Sequence, residues 1–286
     1  MPYLYLGLSV FLSAASGVFG TYFNRRIQGR KNATAFYNFI LLIAVFVGWL
    51  TLFMTDLSFD AKVLPFSLLF ATFYAVCNIS LIRALECGPV ALTSLILNLS
   101  MILTTIWGLI FWDATFGFVV ALGLVLVVVS LFLCIYTKEK ATISKRWLIF
   151  VFLAFASNAG CAITQRTQQM IFQGQHGNML MASASLISLI ICFVLYMRSD
   201  RSDSKVILKK AGIFPVVAGL SNVGLNLFVI ILASTEISTN LIYPVIGVGG
   251  LAVTLLFSQF AFKEKLRPAQ WLGILTGAAA TVLLSL

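Results

Sequence analysis

The sequence predicts an all-α polytopic membrane protein with ten transmembrane helices, arranged as a 5+5 inverted repeat. Three observations support this prediction: the composition, the number of long apolar runs, and a set of matching residues in the two halves of the chain. Of the 286 residues, 60% are hydrophobic and only 10% are charged, and the mean hydropathy is +1.03. Soluble domains are much less apolar than this.

The apolar runs follow one another along the whole chain, and their connectors are too short to hold a soluble domain. A hydrocarbon core about 30 Å thick needs roughly 20 apolar residues per helix. Ten runs approach or exceed this length: 3–23, 34–53, 64–85, 89–111, 116–136, 147–164, 179–197, 213–232, 237–260 and 268–286. The first run is expected to be retained, because no basic region precedes it and no cleavage site follows it.

The basic residues predict the orientation, because cytoplasmic loops keep an excess of Lys and Arg. Most of them fall in the connectors after the first, fifth, seventh and ninth runs. Lys62 and Arg166 are expected on the opposite side. We therefore expect a cell membrane protein (plasma or inner membrane) with both termini outside and the basic loops in the cytoplasm. On this interpretation the net charge of +10 does not indicate a nucleic-acid partner.

Matching residues in the two halves of the chain support the repeat. Displaced by 141 positions, Phe11, Leu12, Ala15, Ser16 and Arg25 fall on Phe152, Leu153, Ala156, Ser157 and Arg166. Displaced by 148 positions, Tyr74 and Asn78 fall on Asn222 and Asn226. Five helices is an odd number, so halves 1–140 and 141–286 would have opposite orientations in the membrane. Such inverted repeats place a substrate site near mid-membrane, where the halves meet.

Polar residues inside apolar runs mark the candidate site, because they are costly at membrane depth. Tyr74 and Asn78 are four apart and share a face of the third run, whereas Arg83 lies about 140° further round at about 100° per residue. The Arg83 guanidinium suits a carboxylate or phosphate and is a candidate for substrate binding or gating. Alternatively, it snorkels to the interface or pairs with Glu86.

The fourth and ninth runs carry a second polar set. Ser94, Asn98 and Thr105 share a face of the fourth run by their spacing, and Trp107 lies near its outer end. The ninth run repeats the pattern with Asn240, Tyr243, Pro244 and Gly247. A proline frees a backbone carbonyl. Pro244, with Gly247 beside it, is therefore a kink that shapes the site, a hinge, or a plain packing kink.

The remaining candidates lie in the first, sixth and eighth runs. For Ser16 and Ser157, helix packing is favoured over ligand contact, because membrane serines often bond within or between helices. For the asparagines, whose amides need several partners, ligand contact and packing stay open. The predicted substrate-binding residues are Tyr74, Asn78, Arg83, Asn98, Trp107, Asn158, Asn222, Asn226, Asn240 and Tyr243.

Two segments resemble a known family. The stretch from Ala84 to Ala91, followed by a helix ending at Trp112-Asp113, resembles the third and fourth helices of the drug/metabolite transporter superfamily, EamA type. The ending, with Glu264 in a short loop and Gly273 in the last helix, is similar to the ending of that family. The resemblance implies ten helices in a 5+5 inverted repeat, with the third, fourth, eighth and ninth lining a cavity. Members move amino acids, nucleotide precursors, other metabolites or drugs.

The acidic residues bear on the substrate. Glu86, Asp113, Glu236 and Glu264 all lie at the ends of runs, whereas a proton-coupled exporter of cations usually needs a buried carboxylate. We therefore expect a secondary transporter, independent of ATP, for a small neutral, zwitterionic or anionic metabolite, such as an amino acid or nucleotide precursor. The alternatives are a cation or drug exporter of the same fold and a non-transporting membrane protein that handles lipid or binds a partner.

Enzymatic chemistry has little support in the sequence. His176 is the single histidine, and no catalytic or metal-binding motif is present, so we expect no catalysis, no metal and no cofactor. The pair Gly273 and Gly277 forms a GxxxG motif, which either joins two protomers or packs against Gly117 and Ala121 of the fifth run. We favour the second arrangement and hence a monomer, with a homodimer as the alternative.

Overall fold

The structure is a computed structural model. It describes residues 2–27, 30, 32–87, 90–111, 117–135, 144–233, 235, 237, 239–261 and 267–284, and all regular structure within them is helical. The helices are α1 (Pro2–Ile27), α2 (Ala33–Thr55), the short 3₁₀ helix η1 (Ala61–Val63), α3 (Leu64–Cys87), α4 (Val90–Phe111), α5 (Phe118–Ile135), α6 (Lys145–Ile171), α7 (Gly177–Met197), α8 (Ser204–Ala211), α9 (Ile213–Ala233), α10 (Thr239–Ala261) and α11 (Pro268–Leu284).

Among these described residues, six helical stretches are long and apolar enough to cross a membrane, as a polytopic helical membrane protein requires. They lie in α1, α2, α3 with η1, α6, α7 and α9. Shorter apolar stretches lie in α4, α5 and α10. The many exposed apolar side chains, such as Phe11, Phe118 and Phe152, suit a lipid environment.

The sixth helix is longer than predicted. The apolar run was expected to end near Thr164, which placed Arg166 in a connector, but α6 continues to Ile171. It continues because the polar side chains of its last turns are themselves buried: Gln165, Gln168 and Gln169 are each at most 4% exposed. Arg166 is therefore a half-buried residue within a helix.

Helix α1 packs against two helices from the end of the chain, α9 and α10. The ring of Tyr5 lies 5.4 Å from that of Phe228, and the ring of Tyr22 lies 5.7 Å from that of Phe214. As the number rises along α1 it falls along α9, so the two helices are antiparallel.

The contact of α1 with α10 involves two glycines. A Cβ at Gly249 would lie 2.9 Å from Val10, and one at Gly250 would lie 2.7 Å from the Ser13 hydroxyl. Positions rise together along the two helices, so α1 and α10 are parallel. The absence of side chains on the glycines lets the helices approach this closely.

Helix α6 packs against α3 and α4 in a corresponding way. A Cβ at Gly160 would lie 2.8 Å from the Phe73 ring, and near the other end Trp147 packs against Ala84 of α3. The Trp147 indole also donates a 2.9 Å hydrogen bond to the Thr93 hydroxyl of α4. Helix α6 is therefore antiparallel to α3 and, as the site below also indicates, parallel to α4.

The last helix packs within the chain. The Ser130 hydroxyl of α5 donates a 2.7 Å hydrogen bond to the Gly273 carbonyl of α11. A Cβ at Gly277 would collide with Val248 of α10 and lie 2.7 Å from the Ser130 hydroxyl. Gly273 thus contacts α5, and Gly277 contacts both α5 and α10. The contact on α5 is made by Ser130 and not by the predicted Gly117, because a Cβ at Gly117 would have nothing within 4 Å.

The short helix α8 was not predicted. Its Ile207 and Ala211 are buried against a cluster that includes Phe23 and Ile27 of α1. Just before α8, the Arg30 guanidinium forms an ion pair with the Asp203 carboxylate, to which it donates a 3.1 Å hydrogen bond. These contacts hold the basic segment between α7 and α9 against the C-terminal end of α1.

Candidate functional site

A cavity of about 400 Å³ lies inside the helical bundle. Its described lining residues come from eight helices: α1, α2, α3, α4, α6, α7, α9 and α10. The lining mixes apolar side chains with hydroxyls and amides, and none of the described lining residues is charged. Cavities of this size and mixed character are typical of small-molecule sites.

Six of the ten predicted substrate-binding residues line this cavity, and so does Gly247 beside Pro244. These six are Tyr74, Asn78, Asn158, Asn222, Asn226 and Tyr243. The side chains of Asn98 and Asn240 lie outside the described part of the structure. Pro244 is buried within α10, one residue from Tyr243.

The other two predicted residues lie away from the described lining. Arg83 is exposed near the C-terminal end of α3, as expected for a side chain about 140° round the helix from Asn78. Trp107 is 37% exposed on α4, and its ring lies 4.3 Å from the ring of Phe111. The aromatic contact of Trp107 is thus made along its own helix.

The asparagines of α3 and α9 make the same local bond. The Asn78 amide donates to the Tyr74 carbonyl at 2.8 Å, and the Asn226 amide donates to the Asn222 carbonyl at 2.9 Å. An amide has two donor hydrogens and an acceptor oxygen. The bond to its own helix therefore fixes each side chain at the cavity wall while using only part of its hydrogen-bonding capacity.

Asn158 connects three helices. Its amide nitrogen donates a 2.7 Å hydrogen bond to the Ser100 hydroxyl of α4, and the Cys77 thiol of α3 lies 3.9 Å from its Oδ1 atom. Because Ser100 is seven positions after Thr93 and Asn158 is eleven after Trp147, positions rise together along α4 and α6. Asn158 is also exposed at the cavity wall.

Gln165, which was not among the predicted residues, lies on the cavity wall two turns after Asn158. It is only 4% exposed, and its Nε2 atom has no hydrogen-bond partner among the described residues. Its spacing of seven from Asn158 puts the two on one helix face. That spacing is a usable signal, but the predicted apolar run ends one residue earlier, at Thr164.

Four serines of the lining were also not predicted: Ser13, Ser100, Ser185 and Ser188. Ser185 and Ser188 each donate a 2.9 Å hydrogen bond to a carbonyl of their own helix. This back-bonding is common for serine in apolar helices, so the sequence does not distinguish them from serines that face a neighbouring helix.

Beyond Gln165, the same end of the bundle is packed with polar side chains. Gln168 and Gln169 are fully buried and hydrogen-bonded to each other. The Gln168 amide also donates a 3.0 Å bond to the Gln175 carbonyl in the turn between α6 and α7. From α10, the Tyr243 hydroxyl lies 3.5 Å from the Ala162 carbonyl, and Arg166 lies within electrostatic range of Tyr243.

A second cavity of about 390 Å³ lies at this end of the molecule. It is lined by Asp56, Ser58 and His176 together with residues of α9. A ring nitrogen of His176 lies 3.2 Å from the Ser58 carbonyl. This contact joins the segment before η1 to the turn before α7.

Comparison with known proteins informs the fold alone. No family model and no curated protein matches the sequence. A crystal structure of another protein matches with a TM-score of 0.74 over 99% of this chain and 95% of that chain, at 9% sequence identity. At that identity, the match shows that the two chains share a fold and carries no conclusion about function.

Proposed function

We propose that the protein is a secondary transporter that moves a small neutral, zwitterionic or anionic metabolite across a cell membrane by alternating access, without ATP and without catalysis. The observation that carries the proposal is the polar cavity of about 400 Å³ at the meeting point of eight helices. If the polar residues served only to hold helices together, the centre of the bundle would be packed and dry.

We further assign the protein to the EamA type of the drug/metabolite transporter superfamily, with ten transmembrane helices in halves 1–140 and 141–286. The helix pairings support this. When α1 to α5 are matched in order with α6, α7, α9, α10 and α11, the contacts of α1 with α9 and α10 correspond to those of α6 with α3 and α4. Under the same matching, the contact between α2 and α7 maps onto itself, and so does the contact between α5 and α11.

The matched helices also run in opposite directions. Tyr243, near the start of α10, reaches Ala162 in the second half of α6. Since α1 is parallel to α10, the beginning of α1 lies at the end of the molecule where α6 finishes. Opposed directions with matched pairings are what an inverted repeat requires, and inverted repeats support alternating access around a central site.

The lining supports the proposed substrate class. Its described polar groups are hydroxyls, amides and thiols, so no carboxylate among them is available to hold a proton or a cation. Cation exporters usually rely on such a group. Neutral, zwitterionic or anionic metabolites fit the lining better, and one chain is proposed as the working unit because its GxxxG face is used internally.

Pro244 and Gly247 are proposed as the hinge of the motion. Pro244 lies inside α10 and removes one backbone hydrogen bond of that helix, while Gly247 lines the cavity three residues later. We expect Pro244→Ala to slow access to the cavity from one side while leaving thermal stability equal or higher. A plain packing kink predicts the reverse, with lower stability and unchanged access.

The proposal is tested by measuring from which side of the membrane a thiol reagent reaches the cavity. All five cysteines are replaced by alanine, Asn158→Cys is added, and the protein is placed in vesicles of known orientation. A membrane-impermeant thiol reagent is then applied to either face. Because Asn158 is exposed at the cavity wall, we expect labelling from both faces, as alternating access requires.

The matched control is a chain that keeps only Cys192, which is 7% exposed on α7 and belongs to the packed cluster around Trp49. Labelling of this thiol should be much slower from either face. If Asn158→Cys is labelled from one face only, alternating access is contradicted. If it is as slow as Cys192 from both faces, the cavity is dry and the non-transporting alternative is favoured.

A further inference from the structure

We infer that the end of the cavity formed by Gln165 and Tyr243 binds the carboxylate group of the transported molecule, with Arg166 supplying positive charge from behind the wall. This inference rests on the proposed function and deepens it, because it names the chemical group recognised and the place where it binds.

The first argument is the state of Gln165. Its side chain is 4% exposed and borders the cavity, yet its Nε2 atom has no hydrogen-bond partner among the described residues. Buried polar groups in native proteins are almost always paired, and an unpaired donor carries a free-energy cost. A ligand acceptor in the cavity would satisfy this donor, which gives a physical reason for keeping a glutamine there.

The second argument is a second donor from the opposite helix. Tyr243 of α10 borders the same cavity, and its hydroxyl lies 3.5 Å from the Ala162 carbonyl. That separation is at the long limit for an O–H···O hydrogen bond, whose usual length is about 2.7–2.8 Å. The Tyr243 hydroxyl therefore loses little by turning to a better acceptor, and Ala162 lies one turn before Gln165 on the same helix.

The third argument is charge. Arg166 follows Gln165 directly, is half-buried and lies within electrostatic range of Tyr243. None of the described lining residues carries a negative charge that would repel an anion in the cavity. In a medium of low dielectric a guanidinium acts more strongly than in water, so this end of the cavity favours an anionic group.

The fourth argument is rigidity. The turns of α6 beyond Gln165 are fixed by the bond between Gln168 and Gln169 and by the 3.0 Å bond from Gln168 to the Gln175 carbonyl. A Cβ at Gly177 would lie 2.9 Å from the Gln169 amide, so α7 is packed closely against the same turns. Donors held by such packing bind with less loss of entropy than mobile ones.

The test uses purified protein and defined probes: L-leucine, L-threonine, L-phenylalanine and pyruvate, each beside its carboxamide. Binding is measured by calorimetry and by thermal stabilisation. We expect at least one carboxylate to bind the wild type, and its carboxamide to bind at least about tenfold more weakly, as the loss of a charge-assisted hydrogen bond implies. Gln165→Leu should weaken the carboxylate by a similar factor.

Two further variants make the test specific. Gln165→Glu keeps the shape of the side chain and faces the ligand with a like charge, so it should weaken binding more than Gln165→Leu does. Gln175→Leu changes an exposed glutamine side chain at the same end of the molecule and should bind as the wild type does.

The inference is overturned if the carboxamides bind as well as the carboxylates, or if Gln165→Leu, folded by its thermal transition, binds like the wild type. It is also overturned if no carboxylate binds the wild type. In that last case the labelling of Asn158→Cys from both faces still decides the proposed function, so the failure of one is distinguishable from the failure of the other.

Discussion

At the scale of single residues, the cavity amides differ in what holds them. Asn78 and Asn226 are fixed by carbonyls of their own helices, whereas Asn158 is fixed by Ser100 of another helix. The Nε2 atom of Gln165 bonds none of the described residues. The side chains of Asn78 and Asn226 therefore keep these hydrogen bonds when the helices move relative to one another, while the position of Asn158 depends on the contact between α4 and α6.

This difference predicts the effect of Ser100→Ala. The Asn158 amide loses a buried partner, and interhelical hydrogen bonds in membranes contribute about 0.6 kcal/mol on average, up to about 1.7. We expect unfolding free energy to fall by about 1 kcal/mol in chemical denaturation. The control is Ser185→Ala, whose hydroxyl bonds its own helix at Ala182 and whose loss should be nearly neutral. Equal losses in both variants would contradict the interhelical role of Ser100.

The position of a side chain around its helix was predictable from the sequence where helical spacing decides it. The helical spacing placed Tyr74 and Asn78 on one face and turned Arg83 away from them, and the displacement by 148 positions matched this pair with Asn222 and Asn226; all four line the cavity. Gln165 was missed for a physical reason: glutamines lower local hydropathy and mark the end of an apolar run, unless tertiary packing buries them as it does here. Burial of that kind is decided by α7, α9 and α10, which a local pattern does not contain.

At the scale of helices, small residues set the closest contacts. Gly277 meets both Val248 and Ser130, so α11 lies against α5 and α10 at a distance that no larger residue permits. Gly160 and Gly250 do the same for the contacts of α6 with α3 and of α10 with α1. Close approach without side-chain obstruction is the usual basis of helix association in membranes.

Gly277→Leu is accordingly expected to destabilise the protein by about 1–3 kcal/mol, the range for overpacking a filled interior. Thermal unfolding in detergent measures it. Gly7→Leu is the matched control, because a Cβ at Gly7 has nothing within 4 Å and the change should cost little. If Gly277→Leu instead lowers the mass of the particle in solution at unchanged stability, the motif joins two protomers and the intramolecular role is wrong.

Helix boundaries followed hydropathy where the helix ends in an ordinary polar loop, as α2 and α7 do. The prediction failed at α6, which continues through buried glutamines. It also failed at α8, whose eight residues are too few and too polar to be recognised as an apolar run. Helix α8 forms because Ile207 and Ala211 find a buried place beside Phe23 and Ile27 of α1, which is a tertiary cause.

At the scale of the whole molecule, five of the described basic residues lie together at one end. The contacts of Arg26 and Arg30 of the α1 end with the α8 segment place them there with Lys205, Lys209 and Lys210. Lys62 lies at the opposite end, before the start of α3. Such asymmetry is what the rule on cytoplasmic loops uses, and it supports the proposed orientation.

The orientation is checked with one matched pair of substitutions. Lys62→Cys and Lys205→Cys each replace an exposed lysine, at opposite ends of the molecule. On intact cells, an impermeant maleimide should label Lys62→Cys, and Lys205→Cys only after the cells are opened, because the segment bearing Lys205 is proposed to lie in the cytoplasm. The opposite result would reverse the proposed topology and place the termini inside.

The pairing of α1 with α9 and α10 also bears on how the protein is made. Helix α1 leaves the ribosome well before its partners α9 and α10, which lie about 190 residues further along the chain. At about 5–20 residues per second, α1 waits roughly 10 to 40 s for α9 to be synthesised. During that interval its contact face, which includes Val10 and Ser13, has no protein neighbour from α9 or α10. A message truncated before α9 therefore yields a chain whose first helix stays permanently open to insertion factors and membrane proteases.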